Sequence, residues 1–386
     1  MTGWELPRLA AFRGGFPTAP LDARRVAGLL DVPGCRRRQV IDAAGVGIEP
    51  LARLLGCPPA GQSPYAIVRA RQFERLVTGD AMGSLLALAR DLLGAPVTAV
   101  RQVDLSPDEV RSQYGRADPP FRATLTAHHV RMMLDGDEAA VNLLRRPVLT
   151  LTVGGSPIHV EPDVVAYTTT DPLHPVEIRS YPCVDGVADE DKVSATARET
   201  AVHVLAVREL SRRLGHDDTR VAAAGLLVMP RNFSLTPTGA RLDVTPQTRR
   251  VRRALDVFPD PATLAASVPD GVSLPAPPPP GATAAERDAA AAQAAEAVGA
   301  LAARFGDGCA SCALFAFCRA EQQASGAVAR TGDAAANLCG DVSTVAAALD
   351  LAHGRRAPVT AAERALAADL GRAAAAAAWA GLDEPS

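Results

Sequence analysis

The chain has 386 residues, 48% of them hydrophobic, a formal net charge of -3 and seven cysteines. That is enough chain to bury the core of one elaborated domain or two ordinary ones. The near-neutral balance excludes a protein that coats nucleic acid by bulk charge, and cysteines this sparse exclude a secreted disulfide framework.

Lys192 is the only lysine, so nearly every positive charge is arginine. Two arginine runs, Arg36 to Arg38 and Arg249, Arg250, Arg252 and Arg253, read most simply as solvated helix faces, although such patches also track phosphates. The N-terminus has no continuous apolar core of a leader peptide, and no window approaches ~18 uninterrupted apolar residues. The expectation is a cytoplasmic protein without membrane contact.

In chain order, Asp22 is placed to N-cap a helix over Ala23–Leu30, which ends at Pro33-Gly34 and delivers Cys35 to the entrance of a second helix, 36–44. Pro64 opens a long helix in which Ile67, Phe73, Leu76 and Val77 form an apolar stripe with Glu74 beside it. Gly79 splits that helix from another over 82–93. A strand over 96–105 and helices over 107–113 and 121–134 follow. From Pro147 the period changes to alternation: VLTLTV is a strand, Gly154-Gly155 a hairpin turn, and SPIHVEPDVVAY its partner strand. A third strand spans 175–180, a helix 189–214, a buried strand 221–229 and a last strand 240–244. PAPPPP at 275–280 reads as an exposed, stiffened linker before an alanine-rich helix over 282–304 and a terminal helix over 360–380. Paired strands followed by a helix and another strand indicate an α/β class with a mixed central sheet.

The stretch from His159 to Ser180 carries the densest chemistry. Asp163 ends one apolar run, Glu177 lies inside the next, and Arg179 follows two residues later on the same strand face as Glu177. Two converging carboxylates with a cation beside them suit a divalent metal and its anionic ligand. Cys309, Cys312 and Cys318 form a second constellation, C-x2-C-x5-C, which supplies three thiolates and leaves the fourth ligand to come from elsewhere.

With these residues in view, the chain resembles the RecB-like branch of the PD-(D/E)XK nucleases, specifically its iron–sulfur members, among them CRISPR-associated RecB-like exonucleases. The resemblance implies a restriction-endonuclease-like mixed sheet flanked by helices, with the N- and C-terminal segments joined by a 4Fe-4S cluster. It matches Cys309, Cys312 and Cys318 to the family's C-terminal trio and Cys35 to its N-terminal ligand. Cys57 is the runner-up, and Cys183 and Cys339 are ordinary cysteines. It implies Glu74, Asp163 and Glu177 as ligands of Mg2+ or Mn2+ and places Arg179 where the family has a lysine. The implied organisation is an N-terminal helical segment with the first cluster cysteine (1–62), a nuclease core (63–267), a proline-rich linker (268–281) and a C-terminal helical segment with the cysteine trio (282–386).

The implied function is a metal-dependent deoxyribonuclease acting on single strands, ends or flaps in DNA repair or antiviral defence, alone or within a helicase or defence complex. Three departures favour an alternative, a nuclease-fold subunit that binds DNA or scaffolds a larger complex; one is the many deviations between Cys35 and Phe121. Arginine cannot serve as a base, and ARETAVHVLAV lacks the family's Q-x3-Y-like motif, with Glu199 or Thr200 and His203 in its place. Lys192 is considered as a relocated lysine and reads more simply as an exposed helix residue. His203 reads as a core histidine, His159 is ambiguous, Glu161 is a neighbour of the site, and His128-His129 has no partner in view. Zinc instead of iron and sulfide is a third reading of the cysteines.

Overall fold

The structure, a computed structural model, describes residues 4–57, 64–79, 82–94, 99–168 and 171–379. The chain opens on four short helices, α1 (Pro7–Arg13), α2 (Ala23–Leu30), α3 (Arg36–Ala43) and α4 (Ile48–Leu54). Asp22 caps α2 by accepting from the Arg25 amide at 2.8 Å. Cys35 is the N-cap residue of α3. The first arginine run is not a solvated face: Arg37 and Arg38 are buried. Arg37 donates to Glu321 at 2.8 Å, Arg38 to Asp42, and Arg25 to the same Asp42 at 2.7 Å. Charges inside a fold are tolerated when paired in this way. The second run lies exposed on α10, described below.

Helices α5 (Pro64–Thr78) and α6 (Gly83–Leu93) meet at Met82, whose φ of 59° takes the left-handed turn that separates them. The expected stripe on α5 divides. Phe73 and Val77 are fully buried, whereas Ile67 and Leu76 are exposed, because only one narrow side of the helix meets the sheet. Next come β1 (Gln102–Asp104), α7 (Pro107–Tyr114), α8 (Pro119–Asp135), β2 (Leu143–Arg145), β3 (Leu149–Val153), β4 (Ser156–Val160), β5 (Val164–Thr168) and β6 (Asp171–Ile178). The strand expected over 96–105 is only β1; residues 95–98 lie outside the described residues. The expected single strand SPIHVEPDVVAY is two. Among the described residues β4 pairs with β3 alone, and after Glu161-Pro162 the chain enters the main sheet as β5. Proline cannot donate to a ladder, which ends the hairpin there.

A small ribbon, β7 (Cys183–Val184) with β8 (Val187–Ala188), precedes α9 (Glu190–Arg213), β9 (Ala224–Pro230) and β10 (Pro237–Asp243). The main sheet has six strands in the order β1-β2-β5-β6-β9-β10. The β1/β2 and β6/β9 pairs are parallel and the other three antiparallel, so the sheet is mixed. Its two faces read directly from residue alternation. Leu143, Val164, Ala166, Val176, Leu226 and Val228 pack towards α5 and α6. Leu144 and Val165 pack on the other side into the large core that holds α9. The class is α/β with helices on both faces of a mixed sheet.

The remaining helices are α10 (Thr245–Asp256), α11 (Pro261–Ala266), α12 (Ala284–Gly299), α13 (Phe315–Ser325), α14 (Asp333–Cys339), α15 (Val345–Ala352) and α16 (Ala361–Trp379). The alanine-rich helix stops at Gly299, earlier than expected, because the next carbonyls serve α3: the Arg37 amide donates to Ala302 O at 2.8 Å and its Nε to Leu301 O at 3.2 Å. Leu9, Phe12, Val40 and Ile41 near the N-terminus thereby share a core with Val298, Leu301 and Leu314. The proline-rich segment is tied at its start, where Leu274 N donates to Phe12 O at 2.8 Å. Gly14 permits that approach, since a Cβ there would stand 2.2 Å from Leu274 O.

Candidate functional site

Antiparallel pairing of Val164 with Val176 sets Asp163, one residue before β5, beside Glu177 on β6. The Ile178 amide donates to Asp163 Oδ2 at 2.8 Å, fixing the carboxylate at the strand edge. Arg179 reaches back over both. Its Nη1 lies 3.2 Å from Asp163 Oδ2, and its Nη2 lies 2.8 Å from Glu177 Oε2 and 2.5 Å from Glu199 Oε2. Glu177 is 1% exposed and turns its other oxygen to His203 Nδ1 at 2.6 Å.

Glu199 and His203 stand four residues apart on α9, one helical turn, so both face the end of β6 that carries Glu177 and Arg179. In the sequence Glu199 only occupies the place of the missing Q-x3-Y-like motif, and His203 reads as a core histidine. It is buried, but it is part of the site, and its Nε2 is buried without a hydrogen-bond partner. The available signal is the i, i+4 pair Glu199 and His203 on the helix that follows the strand of Glu177.

These groups line a cavity of about 400 Å³ together with His159, Glu161, Arg24, Arg122 and Arg146. Arg122 Nη1 pairs with Glu161 at 2.9 Å. Arg146 takes a left-handed φ of 50°, its amide donates to Asp163 O at 2.9 Å, and its guanidinium reaches Glu74 at 2.8 Å and Glu161 at 3.5 Å. A non-glycine residue held in that region stores roughly 1–3 kcal/mol, a cost found where geometry serves a site. Glu74 does not line the cavity; Arg146 stands between it and Asp163.

Burial, then the neighbouring Glu177 charge, pushes the Asp163 carboxyl up to about 6 against the pull of Arg179. Burial also pushes on Glu177, but His203 and Arg179 outweigh it and hold that carboxyl below its ordinary value. Burial leaves Glu199 raised despite Arg179. For Arg179, burial is outweighed by Glu177, Glu199 and Asp163, so its guanidinium is held still more firmly protonated.

In residue type, Asp163, Glu177 and Glu199 suit a hard divalent cation. As the side chains stand, Arg179 engages one oxygen of each, and among the described residues no three His, Cys, Asp or Glu side chains are grouped to hold a metal ion. Lys192 is not brought to the site: it lies exposed in the first turn of α9, 3.5 Å from Asp189. His128 and His129 contact only edge to face, at 5.1 Å between centroids.

The second constellation also assembles. Cys35, Cys309, Cys312 and Cys318 line one small cavity walled by Val32, Ala303, Arg304, Phe305 and Phe315. Cys57 lies outside it. Gly308 lets the cysteine loop press on the α2 end, since a Cβ there would stand 2.4 Å from Asp31 O. Donors face the sulfurs: Arg37 Nη1 lies 3.1 Å from Cys318 Sγ, Arg38 Nη1 3.6 Å from Cys312 Sγ, and the Gly306 amide 3.2 Å from Cys309 Sγ. Burial pushes the Cys318 thiol up to about 11 against the nearby Arg37. Four thiols line one small apolar cavity and three of them receive N–H donors, a donor set whose chemistry suits a zinc ion or an iron–sulfur cluster.

The chain matches no family model. It matches no curated protein either. Among solved structures it is similar to the crystal structure of SSO0001, at 10% identity over 51% of this chain and 88% of that one, with a TM-score of 0.18. A likeness at that score carries no argument, so function rests on the residues. No helix among the described residues is long and apolar enough to cross a membrane.

Proposed function

We propose that the protein is a RecB-like, PD-(D/E)XK-type deoxyribonuclease with a structural 4Fe-4S cluster. The observation that carries the reading is the placement of Asp163 beside Glu177 across β5 and β6, on a cavity lined by Arg24, Arg122 and Arg146. Asp163 and Glu177, with Glu199 near them, would hold Mg2+ or Mn2+, which when bound polarises a phosphodiester and lowers the pKa of an attacking water. Arg179, permanently charged, grips phosphate oxygens and does not take a proton. His203 fixes the orientation of Glu177, and the cavity arginines hold the DNA backbone. Cys35, Cys309, Cys312 and Cys318 would ligate the cluster, joining the two ends of the chain. Antiviral defence or DNA repair, with DNA ends or single strands as substrate and helicase-like partners, is what the resemblance adds.

A second reading, a nuclease-fold subunit that binds DNA without cutting it, is favoured by one observation: Arg179 engages Asp163, Glu177 and Glu199 together. Protein purified without oxygen, assayed for iron and sulfide and then for DNA degradation with Mg2+ and Mn2+, separates the two. Iron and sulfide with metal-dependent degradation support the first; iron and sulfide with binding but no turnover in either metal support the second.

A further inference from the structure

The face of α5 opposite the sheet is largely exposed among the described residues and chemically biased. Tyr65 is 86% exposed, and Val68 and Leu76 share its side of the helix, with Arg69 next to them. Arg69 Nη2 donates to the carbonyls of Phe233 at 3.1 Å and Ser234 at 3.0 Å, tying the β9–β10 turn to α5. Phe233 sits on that turn, 76% exposed. The turn is held from both sides: Asn232 N donates to Cys183 O at 2.8 Å, and Arg231 N donates to Thr236 O at 2.8 Å. An aromatic ring left in water on a braced turn gains nothing for the fold, since burial is what makes such a ring stabilising.

Charge selects the occupant. α5 carries Arg69, Arg71 and Arg75 and one acid, Glu74, whose carboxylate is taken by Arg146. The turn, Arg-Asn-Phe-Ser-Leu-Thr at 231–236, has no acid. Exposed aromatics interleaved with arginines, with Glu74 already paired and Asp185 beside the turn at Asn232, match unpaired bases strung on a phosphate backbone. A helix of another protein would use the apolar stripe but would leave Arg71, Arg75 and Phe233 without a role. Glu74 lies nine residues beyond Tyr65 on the same helix, about 14 Å at 1.5 Å per residue. Through Arg146 it reaches the cavity.

We propose that Tyr65, Arg69 and Phe233 form a stacking platform for single-stranded DNA, which leads the strand along α5 towards the cavity of Asp163 and Glu177. The inference rests on the reading of the protein as a DNA nuclease. Binding is therefore read without turnover, by fluorescence anisotropy of a fluorescein-labelled single-stranded oligonucleotide and a blunt duplex of equal length, in EDTA, with full-length protein. Tyr65→Ala/Phe233→Ala is expected to weaken single-strand binding ten-fold or more and leave duplex binding and the thermal midpoint unchanged, since both rings are exposed. Unchanged single-strand affinity in the double variant overturns the platform while leaving the nuclease reading intact. Absence of any nucleic-acid binding by the unsubstituted protein overturns both. Self-association that the double variant abolishes, with single-strand affinity unchanged, makes the face a protein interface and also overturns the proposal.

Discussion

At the residue scale the site turns on how one arginine balances three carboxylates. Removing a single partner from a buried charge network costs about 3–5 kcal/mol, because the charges left behind are unpaired. Arg179→Ala is therefore expected to lower the thermal midpoint in EDTA and to regain part of it with Mn2+, which a divalent cation at the vacated position explains; a midpoint indifferent to Mn2+ speaks for the binding-only reading. Asp163 gives a pH test. Its native carboxyl titrates at about 6 against 3.8 in the unfolded chain, so between those values the native state holds more protons and stability falls as pH rises. The loss is at most about 3 kcal/mol. Differential scanning calorimetry in EDTA is expected to show this decline between pH 4 and 6, reduced in Asp163→Asn. Asp163, Glu177 and Arg179 were legible from order and spacing alone. His203 was not, because a histidine among Val202, Val204 and Leu205 reads as core until the strand edge that faces it is known.

At the element scale the tie between α3 and the cysteine loop makes a sharper claim. If the four thiols hold a cluster, Cys35→Ser is expected to lose most iron and sulfide and to loosen the packing of α3 on the 299–302 segment. Cys57→Ser, outside that cavity, is expected to retain both, and equal iron content in the two variants sinks the assignment of Cys35. Phe73, fully buried where α5 meets the sheet, is expected to cost about 3–5 kcal/mol as Phe73→Ala, measured by urea denaturation. Long elements were legible: α9 lies where helical period puts it, and β9 falls on the continuous apolar run expected as a buried strand. The hairpin was misjudged because Pro162 breaks a run whose alternation continues across it. β2 escaped notice because three residues carry too little pattern. The burial of Arg37 and Arg38 was hidden because Glu321, which pairs with Arg37, arrives from 284 positions away.

At the scale of the whole molecule, residues near the N-terminus share one core with Val298, Leu301 and Leu314, while the mixed sheet holds the carboxylates at the ends of its central strands, where α9 packs. The sheet supplies rigid placement and α9 supplies Glu199 and His203, so site and scaffold come from distant sequence. The central claim is that Asp163 and Glu177 support metal-dependent hydrolysis of DNA. The most direct measurement is release of acid-soluble nucleotides from labelled single-stranded DNA with Mn2+, comparing the protein with Asp163→Ala. The account predicts release that EDTA stops and that Asp163→Ala lowers at least a hundred-fold, about 2.7 kcal/mol of barrier. Release that survives Asp163→Ala, or none from the unsubstituted protein in any divalent metal, contradicts it.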